Sequence, residues 1–138
     1  IMFKKTITYT DYNGVAKTED HYFNLNKAEL LTMDLGTSGG LEQKMDSIAK
    51  TQDVPKMLEF FEELIKKSYG IRTPEGRFVK KPEYFENFYY SEAYSEFITE
   101  LLASENSRNA VIEFITGIVP EEMAKAMKAQ MFTALPKE

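Results

Sequence analysis

The sequence of 138 residues contains no cysteine and only one histidine. Without cysteine the chain cannot form disulfides, thiolate nucleophiles or zinc–thiolate sites, and such a composition suits a reducing compartment. No apolar run approaches the roughly 20 residues that a membrane-spanning helix needs, and no signal peptide is recognisable. These absences predict a cytoplasmic protein with no membrane partner.

Recognisable catalytic and metal-binding motifs are also lacking. The single histidine, His21, follows Asp20 in a predicted strand, and no serine stands in a G-x-S-x-G frame. The Asp11-Tyr12-Asn13-Gly14 stretch begins like a calcium loop, but Val15 occupies the position where that loop needs Asp or Asn. The glycine-rich run at 36–40 lacks the lysine of a phosphate-binding loop. We therefore predict no enzyme activity, no cofactor and no metal.

The charge balance is acidic. Lys and Arg number 17 against 22 Asp and Glu, which gives a net charge of −5. An excess of acid disfavours general binding to nucleic acid, because phosphate contacts need a surplus of cations. With 43% hydrophobic residues the composition is that of an ordinary globular protein. The length predicts a single domain over residues 1–138.

Residues 3–25 have the pattern of a β-hairpin. Two runs rich in Thr, Ile, Tyr and Phe flank Asn13-Gly14, a strong turn signal. A two-residue loop would place Ile7 opposite Asp20, whereas a three-residue loop with Gly14 in a left-handed bulge places Phe3 opposite Phe23. We prefer the second register because it pairs aromatic side chains across the strands. Such a ribbon is marginal alone, so another element must cover one of its faces.

Residues 26–119 predict a helical core. Asn26 and Glu29 have the spacing of a capping box that opens a short helix, and "LEQKMDSIAKTQ" predicts a second. "GIRTPEGRFVKK" predicts a turn or a small hairpin. Further helices are expected from Pro82, from Ser91 and over about 105–118. The predicted fold class is α+β, an N-terminal β-hairpin followed by a mainly α-helical bundle of five or six helices.

The clearest helix lies between Asp53 and Tyr69. Asp53 can cap it, Pro55 is tolerated in its first turn, and Gly70 can terminate it. Its apolar residues span about half of the helical circumference, which is wider than the usual stripe of a surface helix. We therefore expect this helix to form the centre of the core.

Residues 120–138 predict a mobile C-terminal helix after the break at Pro120. Met123, Met127, Met131 and Leu135 recur at four-residue intervals and form one narrow stripe. Methionine suits surfaces that accept varied partners. The stripe either folds back on the core or docks a partner helix, from another protein or a neighbouring copy. We interpret it as a candidate partner-binding surface.

Charge is segregated between two neighbouring stretches of the sequence. The basic stretch contains Lys66, Lys67, Arg72, Arg77, Lys80 and Lys81. Glu92, Glu96 and Glu100 follow at i, i+4 spacing, where like charges on one helix face repel weakly. These residues form either a solvated surface or patches that meet across subunits, which would favour a head-to-tail homo-oligomer.

Half of the aromatic residues fall close to the basic stretch, between Tyr69 and Phe97. Together the two features allow an alternative function, a small nucleic-acid-associated regulator from a mobile element. A hydrolase with an unrecognised site is a second alternative. The acidic helix face that follows would repel phosphate, so we disfavour nucleic acid as a partner.

Six stretches taken in order carry a family resemblance: "YTDYNGV", "YFNLNKAEL", "LIKKSYG", "GRFVK", "SEAYSEF" and "FITGIVP". Over about Lys4 to Pro120 the chain resembles the tail assembly chaperones of long-tailed, siphovirus-like bacteriophages and prophages of Gram-positive bacteria. None of these stretches is a catalytic signature, so the order and spacing carry the resemblance. The methionine stripe lies beyond the resembling region.

The resemblance implies a non-enzymatic protein of virion morphogenesis. Such chaperones bind the long tape measure protein, keep it soluble and help the tail-tube protein to polymerise around it. The resemblance further implies action in the cytoplasm of the bacterial host and absence from the finished virion. In many such phages a frameshift appends a second domain to the chaperone.

Overall fold

A computed structural model describes residues 2–51 and 53–125 of the chain. Within these ranges the strands are β1 (Phe3–Thr10), β2 (Ala16–Phe23), β3 (Tyr69–Arg72) and β4 (Phe78–Val79). The helices there are α1 (Lys27–Leu35), α2 (Leu41–Lys50), α3 (Val54–Ser68), α4 (Pro82–Tyr89), α5 (Glu92–Ala103) and α6 (Ser107–Ile118). Residues 121–125 are helical as well. The predicted α+β class, a β-hairpin followed by mainly helical structure, is confirmed.

The N-terminal hairpin has the register expected from its aromatic residues. β1 and β2 pair antiparallel with Phe3 opposite Phe23. The loop bulges at Gly14, whose φ of 80° lies in the left-handed region. The Asp11 carboxylate accepts hydrogen bonds from the backbone N–H groups of Asn13 and Val15, each at 2.9 Å. The three-residue loop is therefore confirmed.

A second, smaller hairpin extends the first one into a four-stranded antiparallel sheet. β3 pairs with β2 through Tyr22↔Gly70 and Phe23↔Tyr69, and β4 pairs with β3, so the order is β1-β2-β3-β4. The prediction that Gly70 terminates α3 is wrong. The helix ends at Ser68 and the chain turns directly into extended backbone at Tyr69. A Cβ on Gly70 would lie 2.9 Å from the Phe78 ring, so close packing between the two strands explains the glycine.

The starts of α1 and α3 follow the capping signals in the sequence. The Asn26 side chain accepts from the Glu29 backbone N–H at 2.9 Å, and the Glu29 carboxylate accepts from the Asn26 N–H at the same distance. At α3 the Asp53 carboxylate accepts from the Lys56 N–H at 3.2 Å, and Pro55 lies in the first turn. Both predicted N-termini are confirmed.

The core is centred on the sheet and on α5 and α6. Phe23 is fully buried, and its ring contacts the rings of Phe3, Tyr69, Phe88, Phe97 and Phe114. α5 and α6 pack on β1 and cover one face of the first hairpin. We call this set of rings the aromatic core.

The expectation that α3 forms the centre of the core is wrong. Its second half buries Phe61, Leu64 and Ile65, but Val54 and Leu58 in the first half are 68% and 40% exposed. The wide distribution of apolar residues around α3 therefore does not mean that the helix is buried on several sides. It combines one face in the core with apolar residues that remain at the surface.

Candidate functional site

His21 occupies a packed position in β2. Its ring centroid lies 4.5 Å from that of Phe88. Nδ1 lies 2.9 Å from the Tyr69 hydroxyl and Nε2 lies 3.1 Å from the Glu19 carboxylate. Burial lowers the pKa of His21, and the hydrogen bond to Glu19 opposes that shift only in part. The neutral ring thus accepts from Tyr69 at Nδ1 and donates from Nε2 to Glu19, which is the role of a structural residue.

An open groove of about 660 Å³ lies between α3 and α4. The two helices approach each other at one end, because α3 runs directly into β3 and α4 starts directly after Lys81. The lining residues are Glu59, Glu62, Glu63, Lys66, Lys67, Tyr69, Lys80, Lys81, Pro82, Phe85, Glu86, Tyr89 and Tyr90. We call this feature the α3–α4 groove.

The α3 wall of the groove is charged. Phe61, Leu64 and Ile65 anchor α3 in the core, and the charged residues 59, 62, 63, 66 and 67 of the same helix line the groove. The acids precede the lysines, and lysines in the last turn are favoured by the helix dipole. Lys67 forms an i, i+4 ion pair with Glu63 at 3.4 Å.

The α4 wall is aromatic. Phe88 turns inward and is 2% exposed, whereas Tyr89 is 38% and Tyr90 is 74% exposed. The Tyr89 ring lies between Phe85 and Tyr90, at centroid distances of 5.6 Å and 5.1 Å. This row of rings gives the groove an apolar wall with polar hydroxyl tips, a composition common in binding surfaces.

Two buried tyrosines lie beside the groove: Tyr69 lines it, and Tyr94 contacts the lining residue Tyr89. Burial raises the pKa of Tyr69 to about 12, so its hydroxyl stays protonated beside His21. Burial also raises the pKa of Tyr94, and the nearby Glu62 carboxylate raises it further. The Tyr94 hydroxyl is buried without a hydrogen-bond partner among the residues that the structure describes. Its ring contacts that of the groove residue Tyr89 in a tilted arrangement, with 4.9 Å between the centroids.

The groove has opposite charge at its two ends. At the closed end the lysines of α3 meet Lys80 and Lys81, which precede α4. Lys80 donates to the Asn24 carbonyl at 2.6 Å and to the Glu29 carboxylate at 2.7 Å. Toward the open end the charges are those of Glu59, Glu62 and Glu86, which line the groove on its two walls.

The residues of the predicted basic stretch lie in different parts of the structure. Lys66, Lys67, Lys80 and Lys81 all line the α3–α4 groove. Arg72 belongs to β3 instead. Its guanidinium lies 4.1 Å from the centroid of the Tyr22 ring and donates to the Tyr22 hydroxyl at 3.0 Å. Arg77 is exposed in the turn before β4.

The predicted acidic residues lie on α5, outside the groove lining. Glu92 accepts a hydrogen bond from the Tyr12 hydroxyl at 2.6 Å, and Glu100 forms an ion pair with Lys5. Both contacts tie α5 to the first hairpin. Glu96 is exposed. Two of the three acids are therefore engaged within the chain.

The methionine stripe is described only at its start. Met123 is 37% exposed, and the neighbouring Glu122 pairs with Lys27 of α1 at 2.9 Å. Met127, Met131 and Leu135 lie outside the described residues.

The aromatic lining was not predicted as a site. The sequence does contain a signal, since Phe88, Tyr89 and Tyr90 are consecutive and cannot all face the core from one helix end. Residues 2–51 and 53–125 hold no group of three or more His, Asp or Glu side chains that could bind a metal. What the groove offers is an apolar wall facing a charged one, the arrangement that receives an amphipathic helix.

A comparison with protein families decides the assignment. Residues 2–138 match the family model described as phage tail assembly chaperone. The chain belongs to the phage tail assembly chaperone family. The family match extends beyond Pro120, where the sequence resemblance ended, and includes Met123 through Leu135. No curated protein and no solved structure matches this family member.

Membership in the family supports a role in tail assembly through contacts with tail proteins. Across the described part of this chaperone, no helix has both the length and the apolar character needed to cross a membrane.

Proposed function

We propose that this chaperone binds the tape measure protein of a long-tailed phage or prophage of Gram-positive bacteria, without catalysis, and assists the tail-tube protein to assemble around it. It acts in the host cytoplasm and leaves before the virion is complete. The observation that supports this role is the α3–α4 groove, which presents exposed tyrosines to an incoming chain in a member of a tail assembly chaperone family.

The groove suits apolar helical segments of varied sequence. Tyr89 and Tyr90 supply large rings at low cost in side-chain entropy. The charged α3 wall can pair with polar residues at the edges of a bound helix, and exposed pairs of this kind contribute to selectivity more than to affinity. In the same proposal Met123, Met127, Met131 and Leu135 form a second partner-binding surface.

Co-purification from cells that express both proteins tests the proposal. Tyr90→Asp places a charge on the aromatic wall and should reduce recovery of the tape measure protein at least tenfold. Leu35→Asp is the matched control, because Leu35 is 77% exposed on α1 and Tyr90 is 74% exposed. Equal recovery with the two variants would exclude the groove, and no recovery with wild type would exclude the function.

A further inference from the structure

We propose that the α3–α4 groove of one copy binds residues 121–138 of a second copy, so that the chaperone self-associates head to tail. The proposal concerns the apo protein and does not depend on binding of the tape measure protein. It assigns one occupant to the groove of the apo protein and places the acidic start of a segment of stated sequence at the basic end of that groove.

Charge complementarity is the first support. The C-terminal segment starts with Glu121 and Glu122 and continues with Lys125 and Lys128. The groove is basic at its closed end and carries acids toward its open end. A helix that enters with its N-terminus at the closed end, parallel to α4, therefore meets opposite charge along both halves of its length. The reverse orientation would set like charges against each other.

The apolar residues match in the same orientation. Met123, Met127 and Met131 recur every four residues, and the α4 wall presents Pro82, Phe85 and Tyr89 at nearly the same interval. In the proposed complex the segment binds as a helix parallel to α4, which would bring these positions into register with one methionine against each wall residue. Thioether sulfur makes favourable contacts with aromatic rings, so this pairing suits both partners.

The position of Glu122 favours a second copy over the chain's own segment. Glu122 pairs with Lys27 at 2.9 Å, whereas Glu29 of the same helix turn is the residue that contacts the groove lysine Lys80. Residues two apart on a helix point roughly 200° away from each other. The C-terminal segment thus begins on the side of α1 that faces away from the groove residue Lys80.

The contacts that hold the start of the segment in place are weak enough to allow docking elsewhere. The Lys27 and Glu122 side chains are 76% and 65% exposed, and exposed ion pairs contribute little to stability. Head-to-tail contacts use different surfaces on the two partners, so each copy can bind two neighbours. Association should therefore grow with concentration, and ionic strength should weaken it.

Sedimentation velocity with two complementary variants tests the proposal. Met127→Asp with Met131→Asp should abolish the donor segment and leave the groove intact. Tyr90→Asp should abolish the groove and leave the segment intact. Each variant alone should be monomeric, while an equimolar mixture should form 1:1 complexes, because the segment of the second variant still fits the groove of the first. Leu35→Asp should associate as wild type does.

Three outcomes would overturn the proposal. They are a wild type that stays monomeric at low salt over all concentrations, a donor variant that associates like wild type, and a mixture that shows no complex. Because these experiments contain no tape measure protein, their failure leaves the proposed function standing, and a failed co-purification leaves self-association standing.

A charge-swap experiment tests the orientation. Lys66→Glu with Lys81→Glu should weaken binding of a wild-type segment at least tenfold at low salt. A donor that carries Glu121→Lys and Glu122→Lys should recover most of that loss when mixed with the lysine variant. If the double exchange gives no recovery, the acids of the segment do not bind at the basic end.

Discussion

The aromatic core and the α3–α4 groove are built from the same residue types and differ in what faces them. Phe88 is 2% exposed and contacts Phe23, whereas Tyr90, two residues later, is 74% exposed. In the core each ring is enclosed by other rings, so removal leaves a cavity. In the groove the rings are partly in water, so removal changes what the surface can bind more than whether the chain folds.

The largest effect is expected at the centre of the aromatic core. Phe23→Ala should lower the free energy of unfolding by about 4–5 kcal/mol, because the ring is fully buried among five others. Urea denaturation measures this loss. A loss below about 1 kcal/mol would mean that the rings repack freely, and the contrast between core and groove would then fail.

Substitution of Phe61 tests α3, the helix that lies between the aromatic core and the α3–α4 groove. Phe61 is 3% exposed on the core side of α3, next to Glu62, which lines the groove. Phe61→Ala should lower the free energy of unfolding by about 3 kcal/mol, near the low end for a buried phenylalanine, since it lies away from the ring cluster around Phe23. Glu62→Gln is the control on the groove side, and urea denaturation should show a change within about 0.5 kcal/mol.

His21 connects the aromatic core to the groove through its contact with the lining residue Tyr69. The same histidine makes the free energy of unfolding depend on pH. Burial lowers the folded pKa of His21 below its ordinary value of 6.5, so below pH 6.5 the unfolded chain binds more protons. The stabilisation is complete above that pH and is lost as pH falls toward the folded pKa. The slope should reach at most about 1.4 kcal/mol per pH unit.

Urea denaturation between pH 5 and 8 measures the slope, and His21→Gln supplies the reference. Glu19 and Asp20 remain in the variant, so the difference between the two curves isolates the imidazole. Parallel curves would show that His21 protonates as readily in the folded chain as in the unfolded one.

The smallest effect on stability is expected at the groove surface. Tyr90→Ala should change the free energy of unfolding by less than about 0.5 kcal/mol, because the side chain is largely exposed. The same variant should weaken partner binding. A stability loss as large as that of Phe61→Ala would place Tyr90 in the core and remove the distinction between the two regions.

Local signals in the sequence were sufficient for the hairpin register and for the starts of α1 and α3. Asn13-Gly14 limits the loop to a few geometries, and pairing of Phe3 with Phe23 selects one of them. Asn26 and Asp53 accept backbone hydrogen bonds within three residues. Each of these choices depends on residues within one hairpin or one helix turn, so a pattern can identify them.

The junction of the two hairpins depends on distant residues and was not predicted. β3 joins β2 through only two residue pairs, Tyr22↔Gly70 and Phe23↔Tyr69. Gly70 was read as a helix terminator because glycine serves that role often, whereas here it admits the Phe78 ring. The groove escaped prediction for the same reason, since its two walls come from helices that only the folded sheet brings together.

The first hairpin is completed by α6, which comes late in the sequence. The Leu25 N–H, just after β2, donates to the Ile118 carbonyl at 2.6 Å, and a Cβ on Gly117 would lie 2.7 Å from the Phe3 ring. At a translation rate of 5–20 residues per second, roughly 5–20 s separate synthesis of β1 from synthesis of α6. During that interval the inner face of the hairpin lacks its full cover, because α5 and α6 both pack on β1. The nascent chaperone itself is thus briefly a chain with exposed aromatic surface, and a chain that ended before α6 would keep that surface exposed.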